Sequence, residues 1–190
     1  MYHSSKDYQD VDKTALRLRL DYSHLDQCLD VFKLAKQLNI ILIKYSSLTS
    51  DQLKGLSNYD ELKDGFTVLK KKNGEYKFYT FYNDSKGDAR IRLTIAHEIK
   101  HVVYLEENPT EKEEDLANHF ARYILAPTCL VMPYVEMDFS ILDIASDFDI
   151  SLDAAVNSYN HTSRRLLSKH SYLEDFEIEF MNEYLAKNKK

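Results

Sequence analysis

Apolar residues return every three or four positions over several long stretches of the chain, and they cluster in short runs elsewhere. Leu25, Cys28, Leu29, Phe32, Ala35 and Leu38 fall on one helix face, which Ser23 can cap and Asn39 can end. Residues 1–20 ahead of it are polar and lack a clear period until Leu16, Leu18 and Leu20, so they read as a frayed start. Ile40-Ile41-Leu42-Ile43 is a short β-branched run that fits a buried strand. Ser50 to Leu56 reads as a short helix. Phe66 to Lys70 and Tyr76 to Tyr82 have strand composition, and Asn73-Gly74 between them is the strongest hairpin signal in the chain. A loop, Asn83 to Asp88, follows, and Asp88 is placed to cap a helix over Ala89 to Leu105.

Asn108-Pro109 interrupts that helix. Thr110-Glu111-Lys112-Glu113 is a T-x-x-E capping box opening a second helix, Glu111 to about Leu125, which Pro127 stops. A short connection implies that the two helices run antiparallel. Ser140 to Phe148 and Ser151 to about Leu167 read as two helices joined by a tight turn at Asp149-Ile150, a helix-turn-helix-like pattern. After His170 comes a final amphipathic helix with a basic tail, Lys187-Asn188-Lys189-Lys190. The fold class is therefore α+β: mostly helical, with a small sheet ahead of the helix over 89–105.

Composition narrows the function. At 190 residues, 44% apolar, with 14 Tyr and 9 Phe, the chain can bury a sizeable core. A net charge of −6 argues against a dedicated nucleic-acid binder. Asp143, Asp147, Asp149 and Asp153 would repel phosphate, so the helix-turn-helix-like segment reads as a packing or docking module, with no direct nucleic acid contact expected. No apolar run is long enough to span a membrane, and Met1 to Asp7 has no signal-peptide core. The expected compartment is the cytoplasm. Cys28 and Cys129 sit in apolar contexts and read as small core residues.

The chemistry concentrates in His97-Glu98-Ile99-Lys100-His101, an H-E-x-x-H inside the first long helix. Histidines four apart stack on one helix face and can reach one metal ion, with Glu98 about 100° round the helix. Two ligands, an activated water and a general base are what a metallopeptidase needs. Ile91, Leu93, Ile95, Ile99, Val102, Val103 and Leu105 surround the motif, so the helix should be largely buried and its polar groups need partners.

A catalytic zinc takes a third protein ligand. In an antiparallel hairpin with its turn near 107–108, His101 lies level with Glu114 and His97 with Asn118. Glu114 is the third-ligand candidate, and Asn118 an outer-shell candidate. Glu111 shares their face nearer the loop, Glu113 is accounted for by the cap, and Asp115 points away. His119 is off the face and reads as a solvent-edge histidine.

Two stretches carry a family resemblance. Arg92-Leu93-Thr94-Ile95-Ala96-His97-Glu98-Ile99-Lys100-His101 is similar to R-F-T-x-A-H-E-L-G-H. Glu114-Asp115-Leu116-Ala117-Asn118-His119-Phe120-Ala121 through Leu125-Ala126-Pro127 is similar to E-x-x-A-N-x-F-A-x-x-L-L-M-P. Both motifs belong to the ImmA/IrrE metallo-endopeptidases, which the chain resembles from about Leu25 to Ser151. Lys100 departs from the motif's glycine, implying either a more exposed helix face or a lysine that snorkels. The connection from His101 to Glu114 is short for the family.

The resemblance implies a zincin-like metallopeptidase core with Zn2+ held by His97, His101 and Glu114, and Glu98 as the base. Tyr104, His119 and Arg92 are open alternatives for an oxyanion donor. Members of the family are often encoded on phages and integrative elements, where they cleave or otherwise inactivate a helix-turn-helix repressor. The implied partner is thus a protein. A non-proteolytic anti-repressor with a structural or vestigial metal site is the alternative. The expected division is a core over 1–135, a helix-turn-helix-like segment packed on it over 136–170, and a terminal helix and tail over 171–190.

Overall fold

The computed structural model describes residues 5–57, 64–72, 75–168 and 173–188. Among these residues the α-helices and strands follow in order: α1 (Ser5–Asp21), α2 (Val31–Gln37), β1 (Ile40–Lys44), α3 (Ser50–Ser57), β2 (Gly65–Lys72), β3 (Glu75–Tyr82), α4 (Asp88–Val103), α5 (Glu111–Leu125), α6 (Thr128–Glu136), α7 (Ile141–Phe148), α8 (Leu152–Leu167) and α9 (Asp175–Asn188). The fold is α+β and mostly helical, with a small sheet preceding the H-E-x-x-H helix, consistent with a zincin-like architecture. The chain gathers into two compact units, one of residues 31–117 and the other of 1–30 with 118–190. Among the described residues no helix is long and apolar enough to cross a membrane.

The first unit is built on a three-stranded sheet ordered β1-β3-β2. β1 runs parallel to β3 and β2 antiparallel to it, with Gly65 opposite Tyr82 and Lys72 opposite Glu75. The Asn73-Gly74 turn lies outside the described residues, but the strands flanking it pair as a hairpin. Because side chains alternate across a strand, Gly65, Thr67, Thr80 and Tyr82 share one face. Thr67 and Thr80 are joined there through their hydroxyls at 2.7 Å. On the other face Phe66 stacks on Phe81, 5.0 Å between ring centroids.

Helix α4 packs on the first face, against β2 and β3, with α2 beside it. A Cβ at Gly65 would stand 2.6 Å from Thr94 Cγ2 and 2.9 Å from the carbonyl oxygen of Phe81. Only a glycine lets the helix come that close. The turn into α4 is held by side chains. Asn83 Oδ1 accepts from the amide and hydroxyl of Ser85 at 3.1 and 2.7 Å. Asp84 accepts from the hydroxyl and amide of Ser46, which hold its carboxyl below the usual carboxylate range. Gly87, not Asp88, occupies the N-cap, and no side chain caps this helix.

In the second unit, α1 corrects the expectation of a frayed start. Its inward face is Val11, Ala15, Leu16 and Arg19, all 2% exposed or less. The arginine at the end of that row disguises an otherwise regular spacing. Its guanidinium donates to the carbonyls of His24 (3.1 Å), Ile124 (3.2 Å) and Asp26, and lies 5.2 Å from the Phe180 ring centroid.

Ser23 likewise has a different role from the one expected. It sits at φ 58°, with its amide on Leu20 and the amide of His24 on Arg19, so it closes α1 in a Schellman motif. The expected helix from Ser23 to Leu38 is reduced to α2. Cys28 is exposed, and only Cys129 is the buried cysteine expected.

The C-terminal helices follow the sequence closely. Ser140 and Asp143 form a reciprocal capping box on α7, Asp149 turns at φ 49°, and Ser151 caps α8. Ile144, Phe148, Ile150 and Ala155 are buried where α7 packs on α8. Helix α6, with Pro133 inside it, carries no periodicity strong enough to have stood out. Glu177 of α9 is fully buried and accepts from Tyr123 Oη (2.8 Å), the Arg165 guanidinium (2.8 and 2.5 Å) and the amide of Glu174 (2.9 Å). The last two lysines of the basic tail lie outside the described residues.

Candidate metal centre

Helix α4 supplies two of the candidate ligands from one face. Ten of its sixteen residues are buried, so His97, Glu98 and His101 project from a helix wrapped on most sides, as its apolar flanks require. The Thr110 capping box starts α5 in the register that presents Glu114. Thr110 N donates to Glu113 Oε2 at 2.7 Å, and Glu113 N donates back to Thr110 Oγ1 at 3.3 Å.

His97, His101 and Glu114 come together, each offering an atom such that all three atoms lie within 4.8 Å of one another. His97 Nε2 stands 3.0 Å from His101 Nε2 and 3.1 Å from Glu114 Oε2. His101 Nε2 is 3.8 Å from Glu114 Oε1. The level pairing expected from the hairpin is therefore offset, with the carboxylate closer to His97 than to His101.

One atom from each residue, all within 4.8 Å of one another, makes the group compact enough to gather round one ion. Ligand atoms about 2.0–2.2 Å from one tetrahedral ion stand roughly 3.3–3.6 Å apart. The hydrogen bonding points the same way. His101 Nδ1 is 2.7 Å from Glu106 Oε2, and a carboxylate accepts, so Nδ1 carries the proton. In neutral His101 that leaves Nε2 with a lone pair, directed at His97 Nε2 and toward the Glu114 carboxylate. Acceptors facing one another in this way need a proton or a cation between them. Two imidazoles and one carboxylate form a donor set suited to a divalent transition metal.

Glu98 is only 6% exposed. Its charge reaches Tyr45, a buried residue of the one-turn helix after β1. Burial first, then the negative charges of Glu98 and Asp64, push the Tyr45 phenol up to about 12, so it stays a neutral donor at physiological pH. Sequence reasoning passed over Tyr45 because nothing in a lone tyrosine at a strand end marks it.

Of the other candidates, Asn118, Glu111 and Asp115 are exposed along α5. Arg92 is buried and Tyr104 is 38% exposed. His119 is not an ordinary solvent-edge residue. It bonds Asp12 at 2.7 Å and packs edge-on to Tyr8 within the second unit. Burial raises the Asp12 carboxyl, against the opposing pull of His119.

Lys100 and Glu106 overturn a further expectation. Lys100 neither lies exposed nor snorkels: it is 1% exposed. Its Nζ donates to both Glu106 oxygens at 2.6 Å and to the Glu113 carbonyl at 3.1 Å. Glu106 did not stand out in the sequence, because it lies past the helix end in an acidic loop.

The family model for Peptidase M78, described as the IrrE N-terminal-like domain, matches residues 56–159. That stretch runs from the end of α3 through β2, β3, α4 and α5 into α8 and contains every residue of the candidate centre apart from Tyr45. No curated protein and no solved structure matches the chain. The matched stretch spans more than half of the sequence, and the chain belongs to the Peptidase M78, or IrrE N-terminal-like, family of metallopeptidases.

Proposed function

We propose that this protein is a cytoplasmic zinc endopeptidase whose substrate is a helix-turn-helix transcriptional repressor encoded on the same phage or integrative element. The observation that carries the reading is the convergence of His97 and His101 of α4 with Glu114 of α5, their donor atoms within 4.8 Å of one another, beside a glutamate, Glu98, that is buried on α4. Membership of a metallopeptidase family supports the reaction class. The ImmA/IrrE likeness of the two motifs supports the substrate class.

In this reading His97, His101 and Glu114 hold the ion. When bound, zinc supplies Lewis-acid polarisation of the scissile carbonyl and acidifies the attacking water. Glu98 takes the proton of that water and returns it to the leaving amine. Its burial keeps the carboxylate out of bulk solvent, and a positioned base is more effective in such a water-excluded site. The Tyr45 phenol, close enough to feel the charge of Glu98, stays neutral on that side.

The test is incubation of the zinc-loaded protein with the repressor encoded beside it, with and without chelator. Chelator-sensitive cleavage supports the endopeptidase reading. Loss of the repressor's DNA binding without cleavage, and regardless of chelator, would replace it with the anti-repressor reading.

A further inference from the structure

The second variable position of the H-E-x-x-H motif holds a buried lysine tied to both ligand-bearing helices. Its ammonium has three acceptors. Two are the oxygens of Glu106, each at 2.6 Å. The third is the carbonyl of Glu113 at 3.1 Å, the residue immediately before Glu114. Glu106 in turn accepts from His101 Nδ1 at 2.7 Å. Lysine, glutamate and histidine thus form a continuous chain, with side chains 1%, 11% and 6% exposed. The far end of that chain is His101 Nε2, which faces His97 and Glu114.

The backbone is shaped to make this possible. Leu105 adopts φ 55°, its amide returns to Val102, and the Glu106 amide returns to His101 at 2.9 Å. This Schellman-type ending folds Glu106 back beneath the last turn of α4. A helix continuing past Val103 would carry residue 106 away from that turn. Glu106 is therefore delivered by the cap and then fixed by Lys100 and His101.

We propose that Lys100 is a positioning residue for the metal centre. Through Glu106 it fixes the tautomer and ring plane of His101. Through the Glu113 carbonyl it holds the turn that carries Glu114. This rests on the metallopeptidase reading above, and it assigns to the chain's own lysine a role that a glycine at this position could not fill. Partners that orient a ligating histidine are worth roughly 10–100-fold in metal affinity. A lysine that reaches both helices should lie in that range.

The test uses the full chain with Glu106→Leu, Lys100→Met and the double variant Lys100→Met/Glu106→Leu. The double variant guards against misfolding, because replacing a buried pair by apolar groups of similar size is often neutral. Two quantities are read. The first is the His101 tautomer of the metal-free protein, from long-range 1H–15N correlations at a pH where the ring is neutral. The second is zinc affinity, by competition with a chromophoric chelator.

The wild type should be the Nδ1–H tautomer. Glu106→Leu and the double variant should lose that preference, and all three variants should bind zinc about tenfold or more weakly. A purely structural role for the pair would not move the tautomer. Retention of the Nδ1–H form in both variants lacking Glu106, or zinc affinities within twofold of wild type, overturns the proposal. A wild type that takes up no zinc defeats the metallopeptidase reading instead, and the tautomer still decides whether the lysine–glutamate pair sets His101.

Discussion

Glu106 holds His101 twice: its amide donates to the His101 carbonyl at 2.9 Å, and its carboxylate accepts from the same residue's ring at 2.7 Å. Backbone and side chain of one loop residue thus register against a single histidine of the candidate centre. The residue that allows this is Leu105, 71% exposed and in the left-handed region at φ 55°. A leucine there costs about 1–2 kcal/mol, of which glycine would return part after its own entropy loss of roughly 0.5–1 kcal/mol. Leu105→Gly should therefore be neutral or stabilising by up to about 1.5 kcal/mol, with zinc affinity kept. Leu105→Pro cannot adopt the positive φ, so it should lower stability and zinc affinity together. Urea unfolding and chelator competition on the two variants measure both effects.

Glu98→Gln separates the proposed base from the candidate ligands. The amide has nearly the volume of the carboxylate and can remain buried, but it cannot take a proton. Zinc content, measured by elemental analysis, should stay near wild type. Repressor cleavage should fall by about 10²–10⁴-fold, the usual worth of a positioned acid–base group. A Glu98→Gln protein that cleaves at the wild-type rate would remove Glu98 from the reaction.

Gly65→Ala tests how tightly α4 is seated on the sheet. The new methyl would meet Thr94 Cγ2 at 2.6 Å and a backbone oxygen of β3 at 2.9 Å, and the latter cannot rotate away. Overpacking of this kind costs about 1–3 kcal/mol. A lower urea midpoint should appear, and the double variant Gly65→Ala/Thr94→Ser, which removes the clashing Cγ2, should recover part of the loss. No recovery would place the strain at the Phe81 carbonyl alone.

Much of this organisation was legible in the sequence because local chemistry and tertiary role agree there. The Thr110–Glu113 box, the paired strands of the hairpin and the grouping of His97, His101 and Glu114 all follow from spacing. Two of the failures share one cause: a polar side chain doing a core residue's work. Arg19 ends the buried row of α1 and, by taking the carbonyls of His24 and Asp26, organises the loop that replaces an expected helix start. Lys100 lies buried because Glu106 folds back to meet it, and Glu106 does so only through a left-handed leucine. No propensity scale anticipates a leucine in that conformation, so neither partner could be found without the other.

The pH dependence of the second unit should be set in part by His161. Its ring packs in a cluster with His119, and its Nδ1 lies 3.5 Å from Thr128 Oγ1. Burial lowers its pKa from 6.5, aided by the positive charges of His119, Arg165 and Arg164 and opposed by Asp12. With the folded value below the unfolded one, the unfolded chain binds more protons in the window between them. Stability is therefore full above about pH 6.5 and is lost as the pH falls below it. His161→Gln removes that titration while keeping a polar group near Thr128. Urea midpoints of both metal-free proteins between pH 7.5 and 5 should show the wild type losing stability relative to the variant on acidification. Using metal-free protein keeps zinc release from contributing to the slope. Parallel pH profiles for the two proteins would mean that His161 titrates alike in the folded and unfolded chains.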